Sequence, residues 1–282
     1  MPHCGEGGAA KRRPVLGLAL GGGAARGIAH IGVLQVLEEE QIPIDVIAGT
    51  SVGALIGALY GAGVDLKWLA RLAVNLKWDH LVDLTVPGLG FVRPDKMAHL
   101  IRLLTRQKGF ADLRVRFAAV AVDIETGEEV VLTDGSLVDA VIASSSIPGI
   151  FVPRRVGGRL LVDGGLVNRV PVDVARKLGA EVVVGVDVGT DPRRVKVRNI
   201  LEVIFQAVDI MQNRIFEYRL SGADVLIHPD LGGMDPSNLD EAEFSLEAGR
   251  AAARVALPQI KRYLQQSKPP SEVCSTSQGR GA

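Results

Sequence analysis

The chain has 282 residues, 47% of them hydrophobic and 23% charged, with Lys+Arg and Asp+Glu both at 32, a globular composition that excludes a disordered chain. Balanced charge gives no electrostatic basis for binding nucleic acid or for holding an anionic membrane by charge alone, while apolar contact with lipid stays open. The two cysteines, Cys4 and Cys274, lie in polar or Gly-rich stretches and make neither a disulfide framework nor a metal site, so a cytoplasmic setting is expected.

Residues 1–14 contain Gly and Arg but no apolar stretch of the kind a secretory signal needs. Together with 266–282, rich in Ser, Pro and Gly, they are predicted to be disordered tails around one domain spanning 15–265. Val15–Leu20 is a short apolar run ending in glycines, a buried strand. Gly27–Glu40 carries Ile28, Ile31, Val33, Leu34, Val36 and Leu37 at helical spacing before Glu38-Glu39-Glu40, which reads as a helix with a solvated end. Asp45–Ala48 is a second strand and Ser51–Ala62 a second helix. The apolar run Val52–Val64 is too short to span a bilayer, which needs roughly 20 residues.

The stretch from Trp68 to Gly109 is less regular, and both a helical insertion packed on the core and a cover over an apolar substrate site are open for it. Apolar strands return at Phe117–Asp123, Arg159–Asp163 and Glu181–Asp187, each ending in aspartate. Ile200–Ile215 is an amphipathic helix, read as facing the core. Continuous apolar strands separated by helices predict an α/β fold whose mainly parallel sheet is covered on both faces, with ligands at the strand ends.

Three segments carry the candidate chemistry. Gly21-Gly22-Gly23-Ala24-Ala25-Arg26-Gly27 follows a strand and opens a helix, so its amides suit a phosphate or a developing oxyanion. A dinucleotide site is the rival, but the third glycine of Gly-x-Gly-x-x-Gly would fall on Arg26. Gly49-Thr50-Ser51-Val52-Gly53 fits the elbow that presents a nucleophilic serine, although a serine at a helix start also serves as an N-cap. Of the five histidines, His3, His30, His80, His99 and His228, none sits in a signature for a base. A desolvated carboxylate can take that role, which directs attention to Asp163-Gly164-Gly165, itself also a plain turn sequence.

These three elements in this order resemble the patatin-like phospholipase family, in particular bacterial members similar to the catalytic domain of neuropathy target esterase. The similarity extends to Ala143–Pro148 and Ala223–Pro229 and covers about residues 15–265. It implies a three-layer α/β/α fold and a serine acyl hydrolase of lipid esters, with Ser51 as nucleophile, Asp163 as base and no histidine. It also implies an oxyanion hole from the amides of Gly22, Gly23 and Ala24, supported by Gly21, Arg26, Gly27, Gly49, Gly53, Gly164 and Gly165. Ala24 is a departure, since many members have glycine there. The resemblance implies a lipid substrate, no metal or organic cofactor, a role in lipid degradation and, for a cytoplasmic protein, transient contact with a membrane surface. A nucleotide-binding oxidoreductase using the Gly21–Gly27 loop and a regulator that keeps the fold without activity are the alternatives.

Overall fold

The computed structural model describes residues 12–266 except 82, 85–87, 190, 195–196, 198–199 and 220–221. Cys4, Cys274, His3 and the tail expectations for residues 1–11 and 267–282 lie outside the described residues. In chain order the elements are β1 (Leu16–Leu20), a 3-10 turn (Ala24–Ile28), α1 (Ala29–Glu39), β2 (Val46–Thr50), α2 (Val52–Gly61) and α3 (Leu66–Val74). A small hairpin, β3 (Asp83–Leu84) and β4 (Val92–Arg93), precedes α4 (Asp95–Leu104), β5 (Arg116–Asp123), β6 (Glu129–Leu132) and α5 (Leu137–Ser144). Then come β7 (Arg154–Val156), β8 (Arg159–Asp163), α6 (Val172–Lys177), β9 (Val182–Val186), α7 (Ile200–Arg219), β10 (Val225–Ile227) and α8 (Ala242–Gln265).

The main sheet runs β10-β9-β1-β2-β5-β8-β7, with β6 also on β5. Its β10-to-β5 part is parallel, and β6, β7 and β8 are added antiparallel. Every residue of β1, β2 and β9 is buried, because helices cover both faces and leave no side for a polar alternation. On one face Leu16, Leu18, Leu20 and Ile47 pack with α1, α2, α5 and α8. On the other Ala19, Val46, Ala48 and Val120 pack with Val172, Val174 and Ala175 of α6. The expected α/β/α layering is therefore present, with one helical layer much thinner than the other.

One boundary moves relative to the sequence expectation. Arg12 pairs with Glu181 at 2.8 Å and Arg13 with Asp45 at 2.6 Å, so residues 12–14 are tied to the sheet rather than part of a loose tail. The irregular middle resolves into α3, the small hairpin and α4, whose apolar faces pack against the α1/α2 side of the core. Among the described residues no helix is long and apolar enough to cross a membrane.

Candidate active site

The C-terminal ends of β1 and β2, with the end of the antiparallel β8, meet at Ser51. Ser51 joins β2 to α2 with φ 56° and ψ −125°, a conformation that costs a non-glycine residue about 1–3 kcal/mol. The turn is this tight because its flanking glycines allow backbone to touch backbone. A Cβ on Gly53 would collide with the Leu20 carbonyl, and one on Gly49 would lie 2.6 Å from the Ala54 nitrogen. The Ser51 N–H donates to Ser144 Oγ at 2.9 Å, and the Ser144 hydroxyl donates to the Val120 carbonyl at 2.6 Å. The Ser51 hydroxyl does not cap α2; it lies beside Asp163, with which it lines one recess, and favours the charged form of that carboxyl. That geometry removes the simple N-cap role.

Asp163 closes β8, opposite Ala121 of β5. Its N–H donates to the Ser146 carbonyl at 3.0 Å. Ser144 and Ser146, within the Ala143–Pro148 stretch, therefore fasten the two sides of the Ser51–Asp163 pair to one another. Asp163 Oδ1 accepts the Gly165 N–H at 2.8 Å, so the turn expected of Asp-Gly-Gly also forms. Burial pushes the Asp163 pKa up to about 6 against the opposing hydrogen bonds from Ser51 and Gly165, because a carboxylate loses its hydration there. Gly164 has no room for a side chain against the Val120 carbonyl, and the space beside Gly165 is taken by the Gln212 amide.

The glycine loop corrects one expectation. The Gly21 N–H donates to the Val186 carbonyl and the Gly22 N–H to the Arg169 carbonyl, both at 3.0 Å. Gly22 is thus used to hold the loop on the sheet and is not an oxyanion donor. Among the described residues the amides of Gly23 and Ala24 meet no backbone acceptor, which leaves these two as candidates. Ala24 has φ 49°, the left-handed region where a non-glycine residue is strained by about 1–2 kcal/mol. Gly23 lies against Val188, and Gly27 gives its space to the Val52 side chain. Arg26 is fully buried, donates to the Gly23 carbonyl at 3.3 Å and pairs with Asp209 of α7 at 2.5 Å.

His30 lies beneath the loop with Nε2 2.8 Å from the Gly21 carbonyl. Burial pulls its pKa down to about 4, so it is neutral near pH 7 and donates from Nε2, since a carbonyl can only accept. His228 contacts Asp187 at 3.3 Å instead of Ser51. The described residues hold no cluster of three or more His, Cys, Asp or Glu arranged for a metal.

Ser51 stands between two spaces. On one side is an apolar cavity of about 140 Å³, walled by Ile28 and Ile31 of the α1 side, Leu55 and Leu59 of α2, Leu69 of α3 and Ile101 of α4. On the other is a recess of about 20 Å³ bounded by Gly23, Asp163, Phe205, Asp209 and Gln212. Ala24 borders both. Sequence reasoning missed Asp209 and Gln212, because the periodicity of α7 suggested an apolar inward face. Nothing in the sequence assigns Ser144 and Ser146 a task; their place in the Ala143–Pro148 stretch is the available signal.

A family model described as patatin-like phospholipase matches residues 18–176. A patatin-like phospholipase domain-containing protein of Caenorhabditis elegans is 39% identical over 185 residues, which are 62% of this chain and 14% of that protein. Human patatin-like phospholipase domain-containing protein 6 is 37% identical over 183 residues, 62% of this chain and 13% of that one. An uncharacterized NTE family protein of Mycobacterium tuberculosis is 32% identical over 269 residues, 86% of this chain and 46% of its own length. The chain thus matches less than half the length of each of these relatives. Among solved structures, VipD from Legionella pneumophila superposes with a TM-score of 0.64 at 14% identity, covering 89% of this chain and 67% of VipD. The type III effector ExoU superposes with a TM-score of 0.50 at 15% identity, covering 91% of this chain and 54% of ExoU. At such identities the structural likeness speaks for the fold alone.

Proposed function

Because the chain belongs to the patatin-like phospholipase family, we propose that it is a serine hydrolase of lipid carboxylic esters in which Ser51 and Asp163 form the catalytic pair. The observation that carries this is the placement of Ser51 beside a buried Asp163 and against a cavity lined by apolar side chains. Asp163 takes the hydroxyl proton as Ser51 Oγ attacks the ester carbonyl carbon. With a pKa of about 6, Asp163 is ionised at neutral pH yet more basic than a surface carboxylate, which suits a general base. The tetrahedral oxyanion is received by the Gly23 and Ala24 amides, and loss of one such donor costs about 3–4 kcal/mol in comparable acyl-transfer sites. Collapse breaks the C–O bond, and the alcohol leaves with the proton from Asp163. Water then gives a proton to Asp163 and attacks the acyl-enzyme. The fatty acid departs as the proton returns to Ser51.

The acyl chain occupies the apolar cavity and the alcohol faces the smaller recess. The chemistry calls on no metal or organic cofactor, and lipid degradation at a membrane surface, from the cytoplasm, is the setting proposed. A nucleotide site in the Gly21–Gly27 loop is disfavoured because the Gly21 and Gly22 amides are already bonded. Incubation with a fluorophosphonate probe tests the proposal. Labelling of the wild type that disappears in Ser51→Ala is expected. A folded wild type that resists saturating probe would overturn it, and would favour a regulator that keeps the fold without activity.

A further inference from the structure

α7 is built inside out. Its inward positions are Glu202, Phe205, Asp209 and Gln212, all buried. The outward positions at helical spacing are Ile200, Val203, Ala207, Ile210 and Met211, ending on the exposed Arg214, with Ile200 70%, Val203 50%, Ile210 47% and Met211 52% exposed. Helices that pack on a core show the reverse arrangement. The inward polarity has a local cause, since Asp209 pairs with Arg26 and Gln212 borders the same recess as Asp163. The outward stripe has no such cause within the fold, and its described side chains include no carboxylate.

A second exposed apolar group lies beside the segment that follows α5. Leu89 is 64% and Phe91 50% exposed, and the Phe91 N–H is bonded to the Ile150 carbonyl at 2.9 Å. From the other side Ile204 of α7 approaches Gly149. Both groups therefore flank the segment Ile147–Phe151, whose Ile147 and Phe151 form the rim of the apolar cavity together with Phe205. An apolar path thus runs from the outer surface to Ser51.

We propose that the outer face of α7, with Leu89 and Phe91, is the surface by which this protein rests on a lipid bilayer, held by apolar insertion rather than by charge. The proposal rests on the lipid-hydrolase function above for its orientation, but binding itself needs no turnover. An interfacial helix of this kind sinks its apolar face about 5–10 Å into the lipid. A second copy of the chain is the poorer occupant. A one-helix stripe offers on the order of a few hundred Å², against roughly 800 Å² per partner in a stable protein interface. Equal numbers of acidic and basic residues in the chain fit a binding mode that salt barely weakens.

Co-sedimentation with phosphatidylcholine vesicles tests this, using Ser51→Ala protein so that the lipid stays intact. Binding at low and high salt is expected, and the triple change Val203→Glu, Ile210→Glu, Met211→Glu should weaken it by about tenfold or more. With Ser51 restored, the triple variant should keep wild-type turnover of a soluble short-chain ester and lose a similar factor on long-chain lipid in vesicles. In a second measurement, Val203→Trp should be quenched by brominated lipid beyond the background of Trp68 and Trp78, whereas Val255→Trp on α8 should not. Absence of vesicle binding, undiminished binding by the triple variant, equal quenching at both sites, or a wild-type dimer that the triple variant splits would each overturn the proposal. Undiminished short-chain turnover in Ser51→Ala would overturn the catalytic assignment and leave this one standing.

Discussion

The two sides of Ser51 are built on opposite rules. Toward α1–α4 lies a cavity of about 140 Å³ whose walls are almost entirely apolar and come mainly from those four helices. Toward α7 lies a recess of about 20 Å³ that gathers Arg26, Asp163, Asp209 and Gln212. Size and apolarity are all the first side asks of a residue, and such walls tolerate exchange when volume is kept. On the second side each polar group is buried and must meet its partner, so replacement leaves a charge or donor stranded. What the apolar side accepts is therefore adjustable in this fold, whereas the polar side is not.

The sharpest break of that contrast is Asp163→Asn. Turnover should fall by about 10³-fold or more, since Ser51 loses its base. In the wild type, kcat/KM for a soluble ester should rise through about pH 6 as Asp163 ionises and then level off. Stability should move the other way. The folded pKa of Asp163 lies above its unfolded value, so the wild type is favoured by this group at pH below about 4 and loses that advantage as pH rises through 6. The amide of Asp163→Asn stays uncharged at every pH, so the variant should gain up to roughly 3 kcal/mol at pH 8 and little at pH 4. Thermal melts at both pH values check this; a variant less stable than wild type at pH 8 would remove burial as the source of the shift.

On the apolar side the effect should be graded rather than absolute. Leu55 lies one turn and Leu59 two turns along α2 from Ser51, about 6 and 12 Å at 1.5 Å per residue. Leu55→Trp should reject all but short acyl chains, and Leu59→Trp should reject only the longest, each by about 10–100-fold in kcat/KM, the scale of pocket discrimination by a few methylenes. Short-chain esters should be cleaved by both at nearly wild-type rate. Identical chain-length profiles for the two variants would show that the acyl chain does not run along α2.

The smallest effect is expected at the shared border. Ala24→Gly relieves the left-handed strain at φ 49° but makes the unfolded chain more flexible, so stability should change by less than about 1 kcal/mol. Turnover should stay within about twofold, because the amide is kept. A larger loss, read from kcat on a short-chain ester, would mean that the Ala24 methyl itself sets the loop.

Much of this was legible in sequence because the signals are local. β1, β2 and the buried α2 follow from short apolar runs bounded by glycine, and the motifs that single out Ser51 and Asp163 are brought side by side in the structure. The reasons behind the motifs were less legible. Glycine is the usual residue for a left-handed backbone, yet at this site the positive φ angles fall on Ala24 and Ser51, while Gly53 and Gly164 are there for close backbone contact. The occupation of the Gly22 amide depends on Arg169, a residue far along the chain, which no local pattern reveals. Periodicity identified two faces of α7 and pointed the apolar one inward, the reverse of what the structure shows. The inward choice follows from the polar partners that the site provides.

Ser51 and Asp163 meet only because β8 lies antiparallel on β5, and this has a consequence for how the chain acquires its activity. The β2–α2 elbow is assembled from neighbouring residues, but β8 reaches β5 only after α5 and β7 have turned back, and such non-local pairing is slow to form. The Ser144 and Ser146 contacts that fasten the pair close in the same step. Refolding should therefore show ester turnover lagging behind far-UV circular dichroism. A chain still collapsing would expose apolar surface to lipid without a working nucleophile, and hydrolysis would begin only when folding is complete.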